Sequence, residues 1–482
     1  MKTEDYMKKT IIGLALIATA STFTACNGFL EEEPLMKQSN ELTYSTFDGL
    51  DMAGAALYTR LQSDSWYDGN FVLMSELRAG NAKNPLSIAG SGRYRNDTQW
   101  NYNESSTMAG LWAYAYYTIS YANNILNNIE TADKGKATDA DVNNLKAEAL
   151  FVRALCHFDL VITFGQPYTV APDSPGVPVI LVTENGQPAR NSVKEVYDQI
   201  VKDLTEAESL MSDNYKRAGV TDPAAAATKP AIQALLSRVY LYMGQWQNAA
   251  DYATKVINSG KYSLASGADY TGMYSAAVAP AGGEIIFEVY GSKQNDYWDN
   301  SGWTHLSYIT NWGNGNDGSA DVCATTDLVN MYEDGDIRLQ FFAKNENDYL
   351  VTKYVGKAGS VPRETNIPVL RLSEMYLNRA EAIANGASVS GASASSDLQA
   401  IAEKRNATLP AQYSVFDERR KELMFEGHIV YDYARTAKAL NRTDFDGTVN
   451  QNIPAAPDYR WAMPIPKAEL DANPNMVQNT GY

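Results

Sequence analysis

Trp298, Trp303 and Trp312 fall within fifteen residues, interleaved with Asn295, Asp296, Tyr297, Asn300, Tyr308 and Asn311. Rigid aromatic faces beside amides and carboxylates suit one kind of chemistry in particular. The C–H faces of sugar rings lie flat on aromatic rings, while sugar hydroxyls take amide, carboxylate or guanidinium partners. A second group repeats the composition earlier in the chain, with Trp66, Tyr67, Tyr94, Trp100 and Tyr102 beside Arg78, Arg93 and Asn103. The competing explanation is that these aromatics pack loops onto a core. Trp112 and Trp246 sit on helical patterns and are read as core.

Signals for catalysis are poor. His157, His305 and His428 stand far apart, and no C-x-x-C or H-E-x-x-H spacing offers a metal site. Gly313, Gly315 and Gly318 spell G-x-G-x-x-G, but no strand–helix unit surrounds them, so a dinucleotide site is not supported. That loop is rich in oxygen ligands without the EF-hand spacing, so calcium has no support and no cofactor is expected. A glycoside hydrolase would need two carboxylates about 5–10 Å apart across a cleft. With 57 acids in the chain such a pair can always be drawn, so this stands as the rival reading. Glu418, Glu422 and Glu426, at i, i+4 and i+8, stack like charges on one predicted helical face. Arg371, Arg379, Arg419, Arg420 and Arg435 are available to answer them in a structural Arg–Glu network.

The elements that must position these residues are helices arriving in pairs. In Ala231–Tyr262, apolar Leu235, Leu236, Val239 and Tyr240 recur at helical spacing, and Gly244 breaks the run. A second helix then carries Ala249, Ala253 and Val256. Small residues at Ser237 and Ala249, with Tyr240 between, match the tetratricopeptide pattern for closely crossing helices. Weaker pairs join Leu50–Leu61 to Leu111–Ile129, Asn144–Phe164 to Val193–Met211, and Leu370–Asn385 to Asp397–Lys404. The expected fold is mainly α, a tetratricopeptide-like α-solenoid of about four helix pairs in a single domain over 46–482. Long insertions at about 63–108 and 265–368 are expected to be loops with short strands, such as "EIIFEVYG", and to carry the ligand site.

The N-terminal residues address the chain to a membrane. Lys8 and Lys9 precede an apolar run, Thr10–Ala20, too short to span a bilayer, and small residues lead to Cys26. Residues 1–25 read as a lipoprotein signal, Cys26 as the lipidated residue and 26–45 as a tether, so anchorage is through lipid only. Loss of residues 1–25 removes three lysines and two acids, taking the formal charge from −17 to −18. So acidic a body repels phosphate backbones and argues against nucleic acid. It also disfavours polyanionic ligands. Cys156 and Cys323 do not make a disulfide framework, and Cys156 reads as a buried helical residue.

Eight segments then carry a family resemblance, in order along nearly the whole chain. They are Cys26 with "NGFLEEEP", "YANNILNNIE", "KAEALFVRALCHFDLVITFGQPY", the pair at 231–262, "EDGDIR", "IPVLRLSEMYLNRAEAIAN", "ERRKELMFEGHIVYDYAR", and "PIP" with "NPNMVQNTGY". The chain resembles the RagB/SusD family of outer-membrane nutrient-binding lipoproteins, with His428 where an Arg often follows the Glu-Gly pair. The resemblance implies a cell-surface lipoprotein of the bacterial outer membrane that binds without turnover. It would act as the lid of a SusC-like TonB-dependent transporter, delivering captured nutrient, usually an oligosaccharide. The charge favours a neutral glycan; a peptide is the alternative ligand.

Overall fold

The computed structural model describes residues 43–86, 92–292, 304–310, 318–357 and 364–482. The signal, Cys26 and all but the last residues of the tether therefore lie outside the described residues. The body is already joined to the chain at Ser45, whose carbonyl accepts from the Asp133 N–H at 2.8 Å, while the Phe47 N–H donates back to the Asp133 carbonyl.

The four expected helix pairs are present. Helix α1 (Phe47–Thr59) packs on α3 (Ala109–Asn128), and α4 (Asp139–Phe164) on α5 (Val193–Leu210). Helix α6 (Lys229–Tyr242) turns at Gly244 into α7 (Trp246–Ile257), and α9 (Leu372–Ala384) packs on α10 (Ala394–Lys404). Their starts are written locally. Thr138 and Ser192 form capping boxes with Asp141 and Glu195, satisfying N–H groups that have no partner within the helix. Ser237 donates to the Ala249 carbonyl at 2.9 Å, so small residues do bring α6 and α7 close. Helix α4 is buried along almost its whole length, including Cys156, and forms the axis of the core.

Among the described residues the insertions hold more regular structure than loops with short strands. The first contains a ten-residue helix, α2 (Asn70–Ala79), which the aromatic composition hid. An antiparallel sheet then ties the two insertions together in the order β1-β3-β5-β4. Its strands are β1 (Ala82–Lys83), β3 (Cys323–Ala324), β4 (Phe342–Asn345) and β5 (Asp348–Val351), with Ala82 opposite Ala324 and Ala324 opposite Tyr349. Strand β2 (Ile285–Val289) pairs with β6 (Ile367–Arg371), which runs straight into α9.

The glutamate series needs correcting. Helix α11 (Val415–Glu422) ends before Glu426, because Phe425 (φ 57°) and Gly427 (φ 83°) turn the chain into α12 (Ile429–Arg435). Of the five expected arginines only Arg371 reaches these acids, at 2.7 Å from both Glu422 and Glu426. The other cations come from elsewhere: Arg338 to Glu418 (2.6 Å), Arg405 to Glu422 (2.7 Å) and Lys353 to Glu426 (2.5 Å). Arg379 instead pairs with Asp397, Arg419 with Asp432, and Arg435 with Glu381 and Asp432, while Arg420 donates to the Asn81 side chain. Burial alone would raise the Glu422 carboxyl, but Arg405, Arg371 and Arg338 hold it well below the usual carboxylate range.

Candidate functional site

A cleft of about 360 Å³ opens where the two insertions meet, lined by Asp64, Asn70, Met74, Arg93, Tyr94, Asp97, Tyr102, Ser106, Thr107, Met108 and His305. Helix α2 supplies Asn70 and Met74, one turn apart on one face. The chain after α2 returns Arg93, Tyr94 and Asp97 to the opposite wall. The second insertion contributes α8 (His305–Thr310), whose first residue closes the site.

Two hydrogen bonds hold these walls in register. Tyr94 Oη and His305 Nε2 are 2.9 Å apart, joining the insertions directly. The His305 N–H donates to Asp68 Oδ2 at 3.0 Å, fixing the start of α8. Gly69 makes the approach feasible, since a Cβ there would lie 2.5 Å from His305 Cδ2 and 2.3 Å from the Asp64 carbonyl oxygen.

The electrostatics of the cleft follow from burial. His305 is pushed down to about 4, chiefly by desolvation, so its imidazole is neutral at physiological pH. Asp97 is pushed up to about 7, again by burial first, with Tyr102 and Arg78 pulling the other way. Arg93 is the one cation among the residues lining the cleft, and it is paired with Asp321 at 3.1 Å. With Asp64 and Asp97 alongside, the cleft presents hydroxyls, an amide and carboxyls around tyrosine and methionine surface, and no excess of positive charge.

The structure separates the predicted site residues into three groups. Trp66 and Tyr67 are core: both are buried, stacked 5.7 Å apart, and both donate to Asp159 Oδ2 at 2.8 Å. They have no free face for a ligand. Arg78 and Trp100 are likewise buried beneath the cleft. The Arg78 guanidinium lies 4.1 Å from the Trp100 ring, and the indole N–H donates to the Arg78 carbonyl at 2.8 Å. Trp100 holds a left-handed backbone (φ 51°), a cost offset by the Arg78 guanidinium over its ring and by its edge-to-face contact with Trp461. Arg93 does line the cleft, with its side chain 43% exposed. Asn103 is exposed and shapes the turn that delivers Ser106 and Thr107, accepting from the Ser105 and Ser106 N–H groups. Tyr308 is half-buried on α8. Asn295, Asp296, Tyr297, Trp298, Asn300, Trp303 and Trp312 lie outside the described residues. The first six fall between the described Ser292 and Thr304, and Trp312 follows Thr310.

Asp64, Asn70, Asp97 and His305 were not singled out as ligand residues from the sequence. A second depression, about 410 Å³, lies between the α5–α6 loop and residues 278–286, where Pro223, Pro230, Ile285 and Ile286 mix with Asp213, Lys216, Asp222 and Lys261. No predicted ligand residue reaches it.

Comparison with known proteins decides the family. Residues 28–241 match a SusD-like family described as starch-binding and associating with the outer membrane, and residues 342–482 match the SusD family. A SusD superfamily protein of Bacteroides vulgatus, solved by crystallography, is 30% identical, with 91% of this chain and 99% of that one covered at a TM-score of 0.77. The chain belongs to the SusD/RagB family. It is also similar to the structure of a putative sugar-binding protein from the same species, at 28% identity, TM-score 0.80, and coverage of 91% and 99%. The starch-binding protein SusD of Bacteroides thetaiotaomicron is 24% identical across 100% of both chains. The two family matches leave out residues 242–341, and with them the aromatic-rich residues 295–312 of this SusD-like chain. Among the described residues no helix is long and apolar enough to cross a membrane.

Proposed function

We propose that this SusD-like protein captures a neutral oligosaccharide in the cleft between its two insertions, without turning it over. The observation that carries the reading is the lining itself: tyrosine and methionine surface beside Asn70, Ser106, Thr107 and two carboxyls, with its one cation already paired. Such walls hydrogen-bond hydroxyls and offer a polyanion no counter-charge. Family membership supports a glycan as the ligand class. Trp298, Trp303 and Trp312, with Tyr297, Asn295, Asp296 and Asn300, are proposed as the stacking platform that completes the site. Anchored by lipid on Cys26 at the outer-membrane surface, the protein would hand its glycan to a SusC-like TonB-dependent transporter, for which it forms the lid.

The test is a binding screen of the purified protein against neutral polysaccharides, acidic polysaccharides and a peptide digest, with every mixture checked for cleavage products. Binding to neutral glycans alone, abolished by alanine at Trp298, Trp303 and Trp312 with transporter docking spared, supports the proposal. Preference for acidic glycans or peptides overturns the ligand, and released products overturn the binding-only role.

A further inference from the structure

Away from the cleft, two carboxylic acids meet with no cation to themselves. Asp222, in the α5–α6 loop, is fully buried; its Oδ1 accepts from the Ala224 N–H at 2.8 Å and its Oδ2 from the Ala279 N–H at 2.7 Å. Glu288, on β2, is 2% exposed, hydrogen-bonds Asp222, and accepts from Asn366 Nδ2 at 2.6 Å through Oε1. Both line a cavity of about 170 Å³ beside Tyr58 and Tyr290. The cation facing them is Lys357, which lies 4.0 Å from Glu364, sits 3.6 Å from the centre of the Tyr290 ring, and donates to the Gly291 carbonyl at 2.6 Å. Among the described residues neither Asp222 nor Glu288 forms an ion pair.

Two touching carboxylates in a desolvated site repel strongly, so such a pair holds a proton between them. Both Asp222 oxygens already receive backbone N–H groups, which makes Asp222 the acceptor. Asn366 occupies one Glu288 oxygen, which leaves the other to carry the hydrogen.

The same Asn366 amide reaches the end of β2, where its Oδ1 accepts from the Gly291 N–H at 3.1 Å. Lys357 holds the Gly291 carbonyl, and Gln62 brackets Ser292, accepting from its N–H and donating to its carbonyl at 3.2 Å each. A Cβ at Gly291 would lie 2.0 Å from the Thr365 carbonyl oxygen, so the strand end is pressed against its neighbour. Three side chains thus grip the N–H and C=O groups of the two residues that lead into the segment bearing Tyr297, Trp298 and Trp303.

We propose that the shared proton of Glu288 and Asp222 locks this grip, and that its loss on raising the pH releases Gly291 and Ser292. An ionised Glu288 would be repelled by Asp222 and would draw the Lys357 ammonium away from the Gly291 carbonyl. Asn366 would then lose the geometry that serves both neighbours. Burial, followed by Asp222, pushes the Glu288 carboxyl well above its usual range, against weaker opposition from Asn366 and Lys357. Glu364, Tyr290 and Tyr58 are the other titratable groups facing the pair.

The sign is fixed by linkage. The native chain holds a proton that the unfolded chain releases above about pH 4.3, so this site makes stability fall as pH rises, about tenfold in the folding equilibrium per pH unit, until Glu288 ionises. The experiment compares the wild-type protein with Glu288→Gln, which keeps a donor but cannot ionise, from pH 5 to 9. Amide exchange at Gly291 and Ser292, corrected for intrinsic base catalysis, is expected to accelerate at least tenfold in the wild type and to stay level in the variant. The wild-type stability relative to the variant should fall by up to tenfold per pH unit. Parallel exchange and parallel stability in both proteins would overturn the proposal. If the variant does not fold, the wild type alone decides. A protonated-carboxyl infrared band that disappears with the same midpoint as the Gly291 exchange supports the lock, and exchange without a midpoint refutes it.

Discussion

Glu422→Gln is the most severe single test of how this scaffold is held. The Glu422 carboxylate accepts from Arg371 at 2.7 Å, from Arg405 at 2.7 Å and from Arg338 at 3.1 Å, and none of the four residues is more than 1% exposed. Glutamine keeps the shape and removes the charge. Three buried guanidiniums are then left to share Glu284, Glu418, Glu426 and Asp336. Breaking a buried charge pair from one side costs about 3–5 kcal/mol, a large part of the 5–15 kcal/mol that typically separates folded from unfolded chains. The assay is denaturant unfolding at pH 7, followed by near-ultraviolet circular dichroism. Its pH dependence adds a second check. Because the native Glu422 carboxyl is held below its usual range, its contribution is present above the unfolded value near 4.3 and lost as pH falls towards the native one. The gap between wild type and variant should therefore narrow in acid. A loss under about 1 kcal/mol, or a gap that does not change with pH, would refute the claim that Glu422 is the centre of the network.

Trp66→Phe removes one of the two donors to Asp159 and should cost about 1–2 kcal/mol by denaturant midpoint while leaving glycan affinity unchanged, since the indole is buried. Asp97→Asn should flatten the stability profile. The wild-type carboxyl, raised from its ordinary 3.8 to about 7, makes stability decline across that interval by at most about 4 kcal/mol, and melting temperatures from pH 4 to 8 would show the wild type losing stability relative to the variant as pH rises. Tyr94→Phe cuts the bond to His305 and should lower stability by about 0.5–1.5 kcal/mol, with glycan titration showing weaker capture as the cleft walls lose registration.

The scaffold was legible because helix pairs write themselves into sequence. Periodicity, the break at Gly244 and the small Ser237 and Ala249 report contacts made within about thirty residues. The charge network was half legible. Glu418, Glu422 and Glu426 demanded cations, and spacing could not say that Arg338 and Arg405, rather than Arg379 or Arg435, would supply them. The site was legible as two insertions and no further. Trp66 and Tyr67 have the composition of a sugar platform, yet Asp159 on α4 draws both polar ends inward, and nothing local to them records that. Asp64, Asp97 and His305 were missed because each becomes a wall residue only once α8 docks onto Asp68. The glycine at 69, placed between an aspartate and the start of a helix, was a local sign that another chain segment would come close.

Helix α2 explains why a cleft between two insertions can still be rigid. Asn70, Met74 and Arg78 occupy successive turns of one face. The first two line the cleft, and the third lies beneath it, with its guanidinium 4.1 Å from Trp100 and 5.6 Å from Tyr102. Tyr102 is itself a cleft residue, so the buried cation fixes one wall from below. The adjoining face belongs to the core: Phe71 stacks on Tyr431 at 5.6 Å, and Ser75 Oγ accepts from the Val430 N–H at 3.2 Å, binding α2 to α12. That helix begins a few residues past Glu426, which Arg371 and Lys353 anchor. The cleft floor is thus fastened to the buried charge network through one helix contact. Met74 and Tyr102 therefore present to a ligand a surface that is fixed from the core side.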